Sequence, residues 1–329
     1  MPSRRFGLLL ILGGVLAAVV APFLAPHSPD RRFPDLLNVP PTLPQVVDDS
    51  GGWHAPFIYS WKIADRLQQR YEQDRTKRVP LVWLIGGNLV GSSDDQRSPF
   101  LLLGSDSYGR DGFSRLLYGA RVSMGLSIIA ALGSILIGAL IGAVAGYRGG
   151  ATDDLLMRIT DAVMVLPAMY VVLALRSALP LVLESSAVFV LLAVIFAVVG
   201  APFVSRGVRG IIRSERHQEY AVAAESLGAS HTRLLARHLL PATWGFIAVQ
   251  MTMLVPAFIM GEATLSFVGL GFPEPVASWG TMLRDASNVR TFVDFPWLLS
   301  PAAAMFLVVL GLNLAFQGKR EDRIYDRLM

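Results

Sequence analysis

The side chains able to do acid–base, nucleophilic or metal chemistry are few in this 329-residue sequence and poorly grouped. There is no cysteine, which removes thiolate metal sites, disulfides and a cysteine nucleophile. His231 and His238 stand seven apart on a predicted helix and share a face, as a metal pair could. No third ligand lies nearby in the sequence and no His-Glu-x-x-His occurs, so no metal site is expected. The stretch Gly104–Gly112 is glycine-rich but lacks the Gly-Lys-Ser/Thr ending of a phosphate-binding loop. Its glycines are expected to make turns where the chain re-enters the membrane, and no nucleotide hydrolysis is expected of this polypeptide. The serines and aspartates form no recognisable nucleophilic arrangement. Arg110, Asp111 and Arg115 read as ion pairs and caps at the outer surface rather than as substrate ligands.

The elements that would hold these groups are set by where charge is missing. Hydrophobic residues make up 53% of the chain and charged residues 16%, with a mean hydropathy of +0.49. That composition excludes a disordered, collagen-like or disulfide-scaffold protein. The 29 Lys+Arg and 25 Asp+Glu leave a formal charge of +4, too even a balance to point to nucleic acid. A transmembrane helix needs about 20 mostly apolar residues. Five uncharged stretches are that long: Phe6–Pro29, Val122–Tyr147, Ser185–Ser205, Leu239–Gly261 and Phe295–Gly318. A sixth, Ala162–Leu175, is interrupted by Arg176 and continues apolar to Leu183. The reading is an all-α integral membrane protein with six transmembrane helices. Arg176, near a helix end, is expected to snorkel to the interface. Arg4 and Arg5 before an apolar run also describe a signal peptide, but the run exceeds the usual core of about 7–15 residues. An uncleaved anchor over 1–26 is therefore expected.

Orientation follows from basic residues in the short connections. Arg4 and Arg5, Arg148 and Arg158, Arg206 to Arg237, and Lys319 to Arg327 fall on one side; only Arg176, Arg284 and Arg290 fall in the short opposing loops. Both termini are expected in the cytoplasm, with 27–121 outside, five helices over 122–318, and a cytoplasmic tail over 319–329. The external segment starts proline-rich, as an extended linker, and turns helical from Trp61 to Lys77, where Trp61, Ala64, Leu67 and Tyr71 share a face. A short helix packed on the membrane domain is expected there, or a docking surface for an extracytoplasmic partner. Without cysteine, packing must hold this loop. In the second span Ser134, Gly138, Gly142 and Gly146 recur every four residues, a smooth stripe for close helix approach. Ionisable groups are nearly absent from the spans. Asp161 lies at the inner end of the third and Glu262 at the outer end of the fifth, so energy for any transport must come from outside the membrane.

The connection 206–241, between the fourth and fifth spans, carries the most specific pattern. Glu219 to Ser226 is alanine-rich and helix-forming, Gly228 suits a helix C-terminus, and Ser230 suits the N-cap of a second helix running into the fifth span. Such a lever, tied to two spans, can carry motion from a soluble protein into the membrane.

Ala223-Ala224, then Gly228, then His238-Leu239-Leu240-Pro241 resemble the loop signature of binding-protein-dependent ABC transporter permeases. In that family the signature begins Glu-Ala-Ala; here Val222 stands at the first position, flanked by Glu219 and Glu225. Other motifs are similar to the C-type permease of dipeptide, oligopeptide and nickel importers. They are Leu103-Gly104-Ser105-Asp106, Gly109-Arg110-Asp111, Gly119-Ala120-Arg121-Val122-Ser123, Gly146-Tyr147-Arg148-Gly149-Gly150, Leu265-Ser266-Phe267-Val268-Gly269-Leu270-Gly271 and Ser278-Trp279-Gly280. The resemblance covers residues 103–283 or so, and the loop before Leu103 carries no family motif.

The resemblance implies a type I ABC importer permease (MetI-like) fold with an enlarged external loop after the first helix, in a bacterial inner membrane. It implies a second permease subunit forming a heterodimer, two ABC ATPase subunits, an extracytoplasmic solute-binding protein and surrounding lipid, with no nucleic acid. No catalytic residue and no cofactor would belong to this chain; ATP and Mg would be used by the ATPase partners. Glu219, Tyr220, Ala223, Ala224, Gly228, Ala229, Leu240 and Pro241 would form the ATPase-coupling site. Glu262 is the candidate for the outer cavity rim on the substrate path. The implied function is import of di- or oligopeptides by alternating access, with nickel or another small solute as the alternative cargo. A membrane-anchored enzyme or assembly factor working through 27–121 finds no nucleophile–base pair or metal cluster to support it.

Overall fold

The computed structural model describes the backbone of residues 2–65, 68–178, 184–287 and 293–328, and their side chains except at 2–3, 168, 175–178 and 316–328. Helix α1 (Pro2–Val19) leads into the short α2 (Ala21–Leu24). Strands β1 (Gln45–Val47), β2 (Trp53–Asp65), β3 (Arg70–Ile85) and β4 (Asn88–Ser92) then form one sheet in that order, antiparallel throughout. The remainder is helical: α3 (Gly112–Arg148), α4 (Gly150–Val165), α5 (Ala168–Ala178), α6 (Ser185–Glu215), α7 (Glu219–Ser226), α8 (His231–Leu234), α9 (Leu240–Ala242), α10 (Trp244–Phe267), α11 (Trp279–Asp285) and α12 (Ser300–Leu328). Among the described residues four segments are long and apolar enough to cross a membrane: Gly112–Arg148, Ser185–Glu215, Trp244–Phe267 and Pro296–Ala315.

The stretch Ala162–Leu183, expected as one span, is broken. α4 ends at Val165, Leu166 is extended (φ −82°, ψ 112°), and α5 begins after Pro167. The proline ring disfavours the helical region for the residue before it. The Arg176 side chain, expected to snorkel, and Arg290 lie outside the described residues.

The bundle core is organised around α3 packed on α6. The small-residue stripe of α3 makes that approach possible. A Cβ at Gly138 would stand 2.5 Å from the Ala201 carbonyl oxygen, at Gly142 2.4 Å from that of Ser205, and at Gly146 2.6 Å from that of Arg209. Ser134, at the top of the stripe, donates to the Phe196 carbonyl at 3.2 Å. Below the stripe, Arg209 of α6 forks onto Asp153 of α4, each bond 2.5 Å long. Close backbone approach replaces the water-driven hydrophobic effect that lipid does not supply.

The expectation of a wholly α-helical chain, with a short helix over 61–77, is corrected. Trp61 and Ile63 lie in β2 opposite Gln73 and Tyr71 of β3, and Leu67 lies outside the described residues. The helical spacing of Trp61, Ala64 and Tyr71 was coincidental. Trp61 and Tyr71 do share an environment, but across a strand pair: the Trp61 indole donates to Thr42 Oγ1 at 2.9 Å and the Tyr71 hydroxyl to the Leu37 carbonyl at 2.6 Å. Both pack on Phe33, Val39 and Leu101. Aromatic and β-branched residues fit such a pleated, half-buried surface, and the sheet buries Ile58, Val79, Leu81 and Phe100 in its own small core.

The proline-rich 26–44 stretch is extended as expected, but packed rather than free. It pairs with residues 101–111 through Phe33 N–H to the Gly109 carbonyl (2.8 Å), Thr42 to Leu101 (2.8 Å) and Ser105 to Val39 (3.0 Å). Gly109, at φ +72°, allows this; a Cβ there would lie 2.2 Å from the Phe33 carbonyl oxygen. Together the sheet and these segments make a platform at the end of the bundle where α3 begins.

Buried charge fastens this platform. Asp111 caps α3 by accepting from the Phe113 N–H at 3.0 Å, and its other oxygen lies 3.0 Å from His27 Nδ1. The far ring nitrogen of His27 lies 2.8 Å from Asp95, and Arg31 pairs with the same carboxylate. Burial alone would lower the His27 pKa. Hydrogen bonds to Asp111 and Asp95, with their charges, outweigh it and hold the ring raised from 6.5 to about 9. A native value above the unfolded one means that the folded state binds the proton more tightly. This stabilisation, on the order of 3 kcal/mol, is complete below about pH 6.5 and is lost as pH rises through about 9. Thermal unfolding of the purified protein is therefore expected to shift downward over that window. His27→Gln should start lower and show a flatter profile; identical pH profiles for the two would reject the assignment.

Arg110 and Arg115 are likewise buried rather than set at the surface. Arg110 donates to Asp106 at 2.6 Å and to Asp285 at 2.9 Å, and also to Glu274. Arg115 reaches the carbonyls of Pro29 (3.3 Å) and Pro275 (3.4 Å). One guanidinium thus joins the start of α3 to the segment around α11.

Candidate functional site

The residues singled out between α6 and α10 form a surface at the opposite end of the bundle, where α3 ends. After α6 the chain turns at Arg216–Gln218 and starts α7. One side of α7 faces the protein: Ala221 is fully buried and Ala224 packs partly against the bundle core. The other side carries Glu219, Tyr220, Ala223 and Glu225 in the open, with Val222 51% and Leu227 89% exposed. None of the described residues covers this leucine at the helix end.

The turn itself follows from the sequence. The Gly228 N–H donates to the Glu225 carbonyl at 2.9 Å, and the Ala229 N–H to the Ala224 carbonyl at 3.1 Å. These two bonds define a Schellman motif, which requires a left-handed residue after the helix; Gly228 supplies it at φ +84°. Ser230 then caps α8, accepting from the Arg233 N–H at 3.4 Å. The second helix does not run smoothly into α10. Pro241 has no N–H to offer and its ring crowds the preceding turn. The chain loosens into a π-helical turn over Leu235–Leu239, restarts as α9 at Leu240, and breaks again at Thr243 before α10.

Three residues outside the signature hold this loop against the bundle. Arg216 donates to the Tyr147 carbonyl, and its guanidinium lies 4.9 Å from the centre of the Tyr147 ring. The Tyr147 hydroxyl lies 2.6 Å from His231 Nδ1, and the two rings meet edge to face. Tyr147, at the end of α3, therefore links the end of α6 to the start of α8. No spacing could reveal this contact, since Tyr147 and His231 are 84 residues apart. On α7 the Tyr220 hydroxyl donates to Glu215 at 2.7 Å. Partial burial and that carboxylate push the phenol up to about 12, so it stays a neutral donor.

Glu262 is placed differently from the expected cavity rim. It is fully enclosed and accepts from Ser123 of α3 at 2.7 Å and from Ser266, one turn along α10, at 2.7 Å. Ser123 in turn accepts from the Trp279 N–H at 3.1 Å. The first turn of α11 is fixed by a reciprocal Ser278–Thr281 capping box. Its Gly280 approaches α10 so closely that a Cβ would lie 2.7 Å from the Ala263 Cα. Glu262 is a buried tie among α3, α10 and α11. Both carboxyl oxygens are hydrogen-bonded, which offsets the cost of burying the polar group.

Residues 122–318 match the family described as binding-protein-dependent transport system inner membrane component. The chain is 38% identical over 219 residues to an oligopeptide transport system permease protein of Bacillus subtilis (strain 168), covering 66% of this chain and 69% of that protein. It is 39% identical over 220 residues to a dipeptide transport system permease protein of the same organism, covering 66% of each. A chain of a methionine ABC transporter in inward-facing conformations aligns with a TM-score of 0.47 at 18% identity, over 64% of this chain and 95% of that one. With the matched residues running from early α3 through α12 and taking in the loop just described, the chain belongs to the family of binding-protein-dependent inner membrane components, as a permease subunit of the ABC importer type.

Proposed function

We propose that this chain is the peptide-translocating permease of an ATP-driven importer, with the loop Glu219–Pro241 as the element that receives motion from an ATPase subunit. The observation that carries this reading is the geometry of α7. A short helix that turns Ala221 and Ala224 inward and leaves Tyr220, Val222, Ala223 and a bare Leu227 exposed is held at both flanks, through Arg216, Tyr147 and His231, to α3 and α6, the two most closely packed helices of the bundle. A push on α7 then moves the bundle rather than bending a loose loop, which is what alternating access requires. Glu219, Tyr220, Ala223, Ala224, Gly228 and Ala229 form or shape the contact face, and Leu240 and Pro241 mark its return into α10.

In this reading α1, α3, the broken α4–α5 pair, α6, α10 and α12 are six spans. Both termini are cytoplasmic, and the β-sheet platform is extracytoplasmic. The full assembly has a second permease subunit, two ATPase subunits that use ATP and Mg, and a solute-binding protein delivering to the platform side. The names of the relatives favour a di- or oligopeptide cargo.

The test is uptake in proteoliposomes containing this subunit with its partner permease and ATPases. Accumulation of a labelled di- or oligopeptide is expected only with internal ATP and the external binding protein together. Uptake independent of either overturns the importer reading. Uptake of a nickel chelate in place of peptide overturns the cargo alone.

A further inference from the structure

The β3–β4 hairpin carries an apolar stripe that runs off the end of its own core. Val79, Leu81, Trp83 and Ile85 alternate along one face of β3. Val79 and Leu81 are 2% and 8% exposed, whereas Trp83 and Ile85 are 57% and 45% exposed. Leu84, on the other face, is 70% exposed and sits at φ +56°, next to the Gly86-Gly87 turn. Three large apolar side chains at one hairpin tip, left uncovered by the described residues, call for a nonaqueous neighbour.

The position of the tip identifies that neighbour. Asn88, the first residue of β4, donates from its side-chain amide to the Pro26 carbonyl at 2.8 Å, and β4 lies against α2. The tip is thus fastened where α1 and α2 end. Along those helices Leu9, Leu12, Leu16, Val19 and Phe23 are all exposed, at alternating spacings of three and four residues that place them on one face. An apolar stripe of this kind on a membrane helix faces lipid, and it leads directly to the hairpin. A tryptophan and two aliphatic side chains at the end of such a stripe match the composition of an interfacial anchor, where an amphipathic ring sits at headgroup level.

We propose that the hairpin tip Trp83–Asn88 dips into the headgroup–acyl boundary of the leaflet at which α1 ends, and so fixes the platform's height over the bilayer. The proposal rests on α1 being a span, as in the topology above.

The chain has no native cysteine, so a single introduced thiol reports one place. The experiment uses the whole transporter in lipid nanodiscs, with the other subunits made cysteine-free. Nitroxide labels are placed at Leu84→Cys, at Trp53→Cys, whose exposed side chain lies on a different hairpin, and at Leu12→Cys in mid-α1. Collision with oxygen, which concentrates in lipid, is compared with collision with a water-soluble nickel chelate. The oxygen-to-nickel ratio is expected to be several-fold higher at position 84 than at 53, and highest at 12. Equal, water-like ratios at 84 and 53 overturn the proposal, as does a label at 84 shielded from both reagents, which would mean a protein cover. In either case a lipid-like ratio at 12 leaves the span intact. A water-like ratio at 12 overturns the topology, and the proposal with it.

Discussion

Arg110→Ala is expected to cost about 3–5 kcal/mol of stability, the range for removing one partner of a buried ion pair. The native guanidinium is fully enclosed and serves Asp106, Glu274 and Asp285 at once. Without it these carboxylates share a poorly solvated space, where Arg115, 3.6 Å from Asp106, and Arg284, 3.7 Å from Glu274, are the cations that stay near them. Burial, together with the Glu274 charge, already raises the Asp285 pKa in the intact protein. In the variant the carboxylates gain protons on folding. A native state that binds more protons than the unfolded one loses stability as pH rises. The deficit should therefore be largest above neutral pH and shrink toward pH 5 or so. Arg110→Lys is expected to fall between, because an ammonium lacks the planar fork that reaches several carboxylates. Thermal unfolding of the purified transporter across pH is the measurement, and a melting profile equal to wild type would remove Arg110 as the fastening of α3 to the α11 segment.

Gly228→Leu is expected to leave the protein folded while abolishing ATP-coupled uptake. A left-handed conformation costs an L-residue about 1–2 kcal/mol, and among the described residues no atom lies within 4 Å of where a Cβ would stand. The fold thus loses little, and the added side chain points at whatever docks on α7. Weakening that docking by about 1.4 kcal/mol is tenfold in affinity. Two further variants separate backbone strain from bulk. Gly228→Ala adds strain with little volume, and Gly228→Asn adds volume in a residue that tolerates φ +84°. Uncoupling by Asn and Leu but not by Ala identifies a steric contact with the ATPase. Normal uptake and normal transporter-stimulated ATP hydrolysis in Gly228→Leu would refute the placement of the coupling element.

Much of this site could be read from the chain because its determinants are local. The glycine that ends α7 and the serine that starts α8 act on amides one turn away. The small residues of α3 needed only helical periodicity to line up; the break at Pro167, equally local in cause, fell inside what the apolar run alone reads as one span. The β-sheet was hidden for the opposite reason. Between Trp61 and Lys77 the charged residues are dense and the apolar ones fall by chance at helical intervals. What makes the segment a strand pair is the partner opposite each residue and the Phe33–Val39–Leu101 surface beneath Trp61 and Tyr71.

Glu262 shows the same limit within the membrane domain. Its type and its place at the end of an apolar run suggested a carboxylate facing a cavity. Ser123, 139 residues away, turns it into a buried tie.

The sequence by itself determined that this is a membrane protein, that its apolar runs hold almost no charge, where the short helix between α6 and α8 begins and ends, and which family the chain resembles. Those properties rest on runs, periods and caps that span one or two turns of chain. Only the tertiary structure decided that the long segment after α1 carries a sheet, that Arg110 gathers carboxylates up to 175 residues distant, and that Tyr147 clamps the connection between α6 and α10. In each of these cases the stabilising partner is fixed by packing, and packing brings together residues whose separation along the chain carries no periodic mark.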